Sequence, residues 1–392
     1  MNRVGKVILL LLCLMLPLTA TAEDGARVMP EPFASARHAD PADIPYPQER
    51  DENGYLIAGS AFTSYREVDY KTGELETYLT RDEFVYENPY DGLWAYLSPT
   101  LQVQIIRYDG NWSDAGSKKA MDQRWFVADV KFDTAVERFT QHTWYLADVT
   151  GMNVLGKLQK NGVTRGDRKD QMIWPKTLAQ ADRMVLAVNG DYYIERSKGK
   201  IMGNILRQGV VINDTTVTNG YPNLDSAAFF PDGSMKVFDS ATTTATEQQA
   251  AGAVDMVSFG PWLVKDGVLR NYDGKYYDHR EPRMAVGMVE PGHYVIVDCE
   301  GRVPAKARTA RGVRETGATG LNLNELGALL YYHGANEAIN MDGGNTSVLI
   351  FMGEKLNDTG HDTSVSSPRN QHELFGVGKS ELVRTDWANG KP

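Results

Sequence analysis

Apolar residues in this chain recur in short runs rather than long stripes. Leu101-Gln102-Val103-Gln104-Ile105-Ile106-Arg107 and Trp125-Phe126-Val127-Ala128-Asp129-Val130-Lys131-Phe132 show the alternation of half-buried strands. Val185-Leu186-Ala187-Val188 is continuous and reads as a buried strand. Ala227-Ala228-Phe229-Phe230 and Met235-Lys236-Val237-Phe238, joined through Pro231-Asp232-Gly233, predict a hairpin. Helical signals stand out twice. One segment runs from Thr244 to Ala251 and opens with the Thr244…Glu247 spacing of a capping box; the other runs from about Leu323 to His333, with Asn322 three residues ahead of Glu325 and Gly334 placed to end it. No internal repeat and no regular βαβ alternation is present, so the pattern predicts an α+β fold, a strand-dominated mixed-sheet domain with a few packed helices.

The N-terminus departs from this texture. Arg3 and Lys6 precede an apolar run from Val7 to Leu18, and Ala20-Thr21-Ala22 supplies small residues at −3 and −1, which predicts a signal peptide over residues 1–22. The run is too short for a comfortable membrane span and no second candidate follows, so no span is expected in the mature chain. The product is expected to be exported, to a periplasm or the medium. Leu12 before Cys13 argues against a lipoprotein anchor. Residues 23–95 read as an extension: a tether to about residue 50 carrying Pro30, Pro32, Pro41, Pro45 and Pro47, then an aromatic-rich stretch with Tyr65, Tyr70, Tyr78, Phe84, Tyr86, Tyr90 and Trp94, either wrapped on the main domain or an independent small module. The main domain is expected over residues 96–385, with 386–392 as a tail.

Loss of the signal peptide leaves Cys299 alone, so no intramolecular disulfide is available to the exported chain. At about 370 residues, its core needs neither staples nor a structural metal. Removing Arg3 and Lys6 leaves 39 basic against 51 acidic residues, a net charge of −12 that disfavours nucleic acid or an anionic membrane as partner.

Several chemistries have no support. The chain lacks a glycine-rich phosphate loop ending in Lys-Ser/Thr, a Gly-x-Ser-x-Gly elbow, a His-Glu-x-x-His pair and a Cys-x-x-Cys pair, and its seven histidines are scattered. No cofactor and no metal is therefore expected. Carboxylates, asparagines and arginines beside glycines remain. The foremost is Asn340-Met341-Asp342-Gly343-Gly344-Asn345-Thr346-Ser347, which follows one apolar run and precedes another. A two-glycine turn would hold Asp342 at a sheet edge with bare backbone beside it; the plain alternative is a hairpin in which Asp-Gly only makes the turn. Asn189-Gly190-Asp191, Arg207-Gln208-Gly209, Phe259-Gly260-Pro261-Trp262, Pro282-Arg283-Met284-Ala285-Val286-Gly287 and Asp298-Cys299-Glu300-Gly301-Arg302 also sit at predicted strand ends. Each has a structural reading alone, as a turn or a solvated rim. Together they suit an anionic sugar derivative, because arginine forks bind phosphate oxygens and a fixed carboxylate can act on an anomeric carbon.

In this order, with the helix carrying Glu325-Leu326, these motifs resemble the phosphodiester glycosidase family, over about residues 96–385. That family includes the enzyme that uncovers mannose 6-phosphate on lysosomal proteins. The resemblance implies hydrolysis of a sugar 1-phosphodiester, with a phosphorylated sugar or glycan as partner. It makes Asp342 the leading catalytic candidate, joined by Asp191 and by Asp298 or Glu300. The substrate-binding candidates are Asn189, Arg207, Arg283, Arg302, Asn340, Gly343, Gly344, Thr346 and Arg369. Glu325 also matches the family but is expected to cap its helix. The departures are specific. Asp298-Cys299-Glu300-Gly301-Arg302 stands where Asp-Gly-Arg is common, Asn345 where a third glycine is common, and Met284 where a hydroxyl residue is common. The stretch from Arg302 to Gly320 is longer and carries Lys306, Arg308, Arg311 and Arg314; it reads either as a loop over the site suited to a polyanion or as a solvated loop. Two other classes stay open, a non-catalytic polysaccharide binder and a metal-dependent phosphodiesterase. Asn111, Asn213 and Asn345 begin N-glycosylation tripeptides, which matter only in a pathway that glycosylates.

Overall fold

The computed structural model describes residues 27–112, 121–143, 174–190, 202–215, 224–239, 242–274, 277–309, 312–314, 316–359, 369, 371 and 373–385. In chain order these form β1 (Ala61–Asp69), β2 (Glu74–Arg81), β3 (Phe84–Asn88), β4 (Leu93–Leu97), β5 (Leu101–Trp112), β6 (Met121–Phe132) and β7 (Thr140–Thr143). Then come helix α1 (Pro175–Ala181), β8 (Met184–Asn189), β9 (Gly203–Arg207), β10 (Val210–Thr215), β11 (Asp225–Phe229) and β12 (Met235–Phe238). Helix α2 (Ala245–Ala250) precedes β13 (Asp255–Phe259), β14 (Trp262–Lys265), β15 (Val268–Leu269), β16 (Arg283–Glu290) and β17 (His293–Cys299). The last stretch holds β18 (Arg308–Thr309), β19 (Gly312–Val313), α3 (Leu323–Tyr332), β20 (Glu337–Met341), β21 (Leu349–Phe351), β22 (Glu354–Lys355) and β23 (Glu373–Lys379).

Eleven strands build one large sheet in the order β15-β14-β20-β16-β17-β6-β5-β4-β3-β1-β2. Two five-stranded sheets, β10-β9-β13-β11-β12 and β22-β21-β8-β23-β7, complete the main framework. The β1/β3 pair is parallel and the other pairs of the large sheet are antiparallel, so the sheet is mixed, as expected. The alternation of β5, β6, β16 and β17 divides their side chains between two cores. Val103, Ile105, Val286 and Ile296 join Phe229 and Phe375 of the smaller sheets in one core, while Val127, Ala285, Val295 and Val297 meet Leu326, Leu329 and Leu330 of α3 in the other. The unbroken apolar run of β8 is buried at every position.

Local signals explain the helix starts. Thr244 with Glu247, and Asn322 with Glu325, each form a full capping box. The expected hairpin is β11–β12, with Gly233 at φ +80°.

The tether is the part of the reading of residues 23–95 that differs. The stretch expected to be a tether lies on the fold from residue 27: Phe33 inserts edge-on against Trp112 and Trp125 at 5.2 and 5.5 Å, and Ile44 is buried. Its few apolar residues fill single gaps, so they carry no periodicity. From Ala61 onward, β1–β4 extend the large sheet itself and bury Phe84, Tyr86 and Trp94. Among the described residues no helix is long and apolar enough to cross a membrane.

Candidate active site

Antiparallel pairing brings three candidate segments to one end of the large sheet. β16 starts where β17 and β20 finish: Arg283 registers with Cys299, and Met284 registers with Asp298 on one side and Met341 on the other. Asp342 follows at once. The hairpin alternative fails here, because the strand after the turn, β21, belongs to a different sheet. The chain instead crosses between sheets through Gly343 and a 3-10 turn, Gly344–Thr346. A Cβ on Gly343 would lie 2.3 Å from the Pro282 carbonyl oxygen, and Gly344 takes φ +62° while its N–H donates to the same oxygen at 3.0 Å. One glycine is therefore required by close approach and the other by its backbone angle.

Asparagines fix the crossing. Asn189, at the end of β8 and fully buried, donates from Nδ2 to the Asp342 carbonyl at 2.8 Å and accepts from the Val348 N–H at 3.2 Å. Asn340 donates to the Gly260 carbonyl at 2.7 Å, and the Gly260 N–H returns a bond of 3.0 Å to the Asn340 carbonyl. Thr346 is buried, and its carbonyl accepts from Gln371 at 2.8 Å. Asp342 itself keeps 6% exposure.

Two arginines stand against the turn. Arg302, at φ +58° and one third exposed, pairs with Glu281, and its Nη1 stands 3.4 Å from where a Gly344 Cβ would be. The Arg369 N–H donates to the Asn345 carbonyl at 2.9 Å and its Nη1 reaches Thr346 Oγ1 at 3.5 Å. Arg283, partly buried, donates to the carbonyls of Leu321 at 3.3 Å and His279 at 3.0 Å. Arg207 is a correction: only 1% exposed, it lies in a buried pair with Glu373, Nη2 to Oε2 2.8 Å, where no substrate phosphate reaches it.

The two carboxylates at the end of β17 differ in kind. Asp298 is fully buried; Oδ1 accepts from Ser347 Oγ, whereas Oδ2 has no hydrogen-bond partner among the described residues. Burial, opposed by the Ser347 bond and aided by the charge of Glu300, pushes its carboxyl up to about 7. Glu300 is instead committed to a structural knot: Arg314 donates to Oε2 and the Asp358 N–H to Oε1 at 2.9 Å. Arg314 is thus not part of a solvated basic loop but a buried anchor for it. Lys306 is exposed, Arg308 opens the short β18, and Arg311 lies outside the described residues, as does Asp191. Glu325 caps α3 and also binds Arg280 at 2.6 Å, so its structural assignment is filled.

Ser347, Gln371, Arg314 as anchor, and Glu373 were not singled out from sequence. Each acts through a partner remote in sequence or through the geometry of a buried turn; Glu373 offers only the faint signal of a carboxylate opening an apolar strand. Among the described residues no group of three or more His, Cys, Asp and Glu side chains is arranged to hold a metal ion.

Residues 182–377, half of the chain, match the family model described as phosphodiester glycosidase. Over 185 residues, 46% of the chain, it is 29% identical to the SPbeta prophage-derived uncharacterized protein YomE of Bacillus subtilis strain 168, and it spans 26% of that relative's length. Among solved structures it is similar to the zebrafish N-acetylglucosamine-1-phosphodiester alpha-N-acetylglucosaminidase catalytic domain, auto-inhibited by its pro-peptide, at 16% identity and a TM-score of 0.49, covering 72% of this chain and 85% of that one. A hypothetical protein from Synechocystis aligns at 12% identity and a TM-score of 0.41, over 82% of this chain and 68% of its own. The matched segment takes in Asn189, Arg283, Asp298, Asp342 and Arg369 alike, and the chain belongs to the phosphodiester glycosidase family.

Proposed function

We propose that the protein is an exported hydrolase that cleaves the glycosidic C–O bond of a sugar 1-phosphodiester, in cell-surface or exopolysaccharide metabolism. One observation carries the reading: Asp342 sits on a bare-backbone turn with Arg302 and Arg369 against the same turn and Arg283 at the adjacent strand start. A phosphate monoester is a far better leaving group than a sugar alkoxide, so the reaction needs charge stabilisation more than a strong general acid. Guanidinium groups supply that charge without giving up a proton. Asp342 then acts at the anomeric carbon, either as nucleophile or as base toward water. The C1–O bond breaks, its electron pair leaves with the phosphate, and the water oxygen ends on C1. Asn189 and Asn340 hold the turn in place, Gly343 lets it pack on the Pro282 carbonyl, and Gly344 leaves its backbone bare beside Arg302. Asp298 supports the turn through Ser347.

Hydrolysis of a panel of sugar 1-phosphodiesters by residues 23–392 in ¹⁸O-water tests the bond cleaved. Label in the sugar is expected. Label in the phosphate would make the protein a phosphodiesterase, and glycan binding without turnover would make it a binder. Export is tested separately, by fractionation and by N-terminal sequencing of the mature chain, which is expected to begin near Glu23.

A further inference from the structure

We infer that the buried pair Arg207–Glu373 is a positioning element: it holds the Asn189-Gly190 turn in the place from which Asn189 fixes Asp342. The inference rests on the reading of Asp342 as the reacting carboxylate. Arg207 closes β9 in one five-stranded sheet and Glu373 opens β23 in the other, so the pair ties two sheets together at the site. Each side chain is 1% exposed, and the bond from Nη2 to Oε2 is 2.8 Å. The second oxygen of Glu373 faces the turn. A Cβ built on Gly190 would stand 2.6 Å from Oε1 and 2.8 Å from Cγ, closer than any side chain tolerates. The register explains this contact, since Leu374 pairs with Asn189 and its neighbour Glu373 therefore falls beside Gly190. From there the path is short: Asn189 donates to the Asp342 carbonyl at 2.8 Å.

Stability alone does not call for this arrangement. Two charges removed from water recover their desolvation only with good geometry, and apolar residues of similar volume serve a core as well or better. What an ion pair adds is direction, because a guanidinium holds a carboxylate in a fixed orientation. Direction matters here because a misplacement of about 1 Å at a reacting group can lower a rate about a hundredfold.

The test is the double substitution Arg207→Met with Glu373→Met in the mature chain, read by thermal unfolding, by kcat and KM on a sugar 1-phosphodiester, and by amide hydrogen exchange over residues 340–348. The expected result is a Tm close to that of the unaltered protein, kcat lower by at least about tenfold with KM within about twofold, and faster exchange in 340–348. Gly190→Ala presses on the same contact with the pair intact and is expected to give the same kcat loss and the same exchange. Full kcat with unchanged exchange in either variant overturns the inference, and if the double variant does not fold, Gly190→Ala decides. Should the unaltered protein turn over none of these substrates, the functional reading fails by itself, and exchange over 340–348 still decides whether the pair controls the turn.

Discussion

Asp342 and Asp298 are both acidic and both lie near the same turn, yet their surroundings give them different expected behaviour. Asp342 retains a little solvent exposure beside Gly343, whereas Asp298 is sealed beneath it. Asp342→Asn is expected to lower turnover by at least about a hundredfold while leaving the melting temperature near that of the unaltered protein; near-normal turnover would remove Asp342 from the mechanism. Asp298 makes a prediction about stability instead. Its carboxyl titrates near 3.8 when unfolded and near 7 in the fold, chiefly through desolvation, with Glu300 raising it and Ser347 and Lys355 opposing. Between those values only the folded state holds the proton. The stability from the neutral form is therefore full below about pH 4 and is lost as the pH rises through about 7. Asp298→Asn keeps an acceptor for Ser347 and cannot ionise, so the Tm of this variant relative to the unaltered protein is expected to climb between pH 4 and pH 8. A difference that stays flat across that range would show that Asp298 is already ionised in the fold.

Among elements, α3 is the clearest case of local information setting local structure. Asn322 accepts from the Glu325 N–H at 2.9 Å and Glu325 accepts from the Asn322 N–H at 3.0 Å, a pattern written within four residues. Asn322→Ala is expected to cost about 1 kcal/mol in urea unfolding. Glu325→Gln is expected to keep turnover within about twofold, since the glutamine can still cap; a loss of a hundredfold would place Glu325 in the chemistry after all. The same locality explains which parts of the protein could be read from residues alone. The parts Leu101–Arg107 of β5 and Trp125–Phe132 of β6, the β11–β12 hairpin and both capping boxes are legible because their signals lie within a dozen residues. The candidate turn around Asp342 was legible through its glycines, but its flanking strands were not assigned to separate sheets. Sheet membership depends on partners far along the chain: Asn189 reaches Asp342 across 153 positions, and Arg207 reaches Glu373 across 166. No window of sequence contains such a pair. This is why Arg207 reads as a phosphate ligand from sequence alone, and why Arg314, bonded to Glu300 only 14 positions away but through a buried loop, reads as part of a loop over the site or of a solvated one.

At the scale of the whole molecule, the strands before residue 100 and the segment after β23 are joined through one buried carboxylate. Glu87 of β3 is 3% exposed; Arg384 binds it at 2.7 Å and Arg66 of β1 at 3.4 Å. Arg384 also approaches Glu354 of β22, which Lys176 of α1 holds at 3.2 Å, so the network spans the large sheet and one of the smaller ones. Desolvation raises the Glu87 carboxyl above its usual range, and the two arginines oppose that rise. Removing Arg384 leaves the carboxylate with Arg66 as its remaining cation among these two, and the folded-state proton affinity must increase further. A group raised in the fold contributes its stability at low pH and loses it as the pH climbs through its folded value. Arg384→Ala should therefore cost little at low pH, where Glu87 holds its proton, and up to roughly 3 kcal/mol as the pH rises and a buried charge has lost a partner. Urea unfolding across that pH range measures the difference. A loss that does not depend on pH would mean that Arg384 stabilises the protein through packing of its side-chain stem, and that Glu87 does not join the two ends of the chain electrostatically.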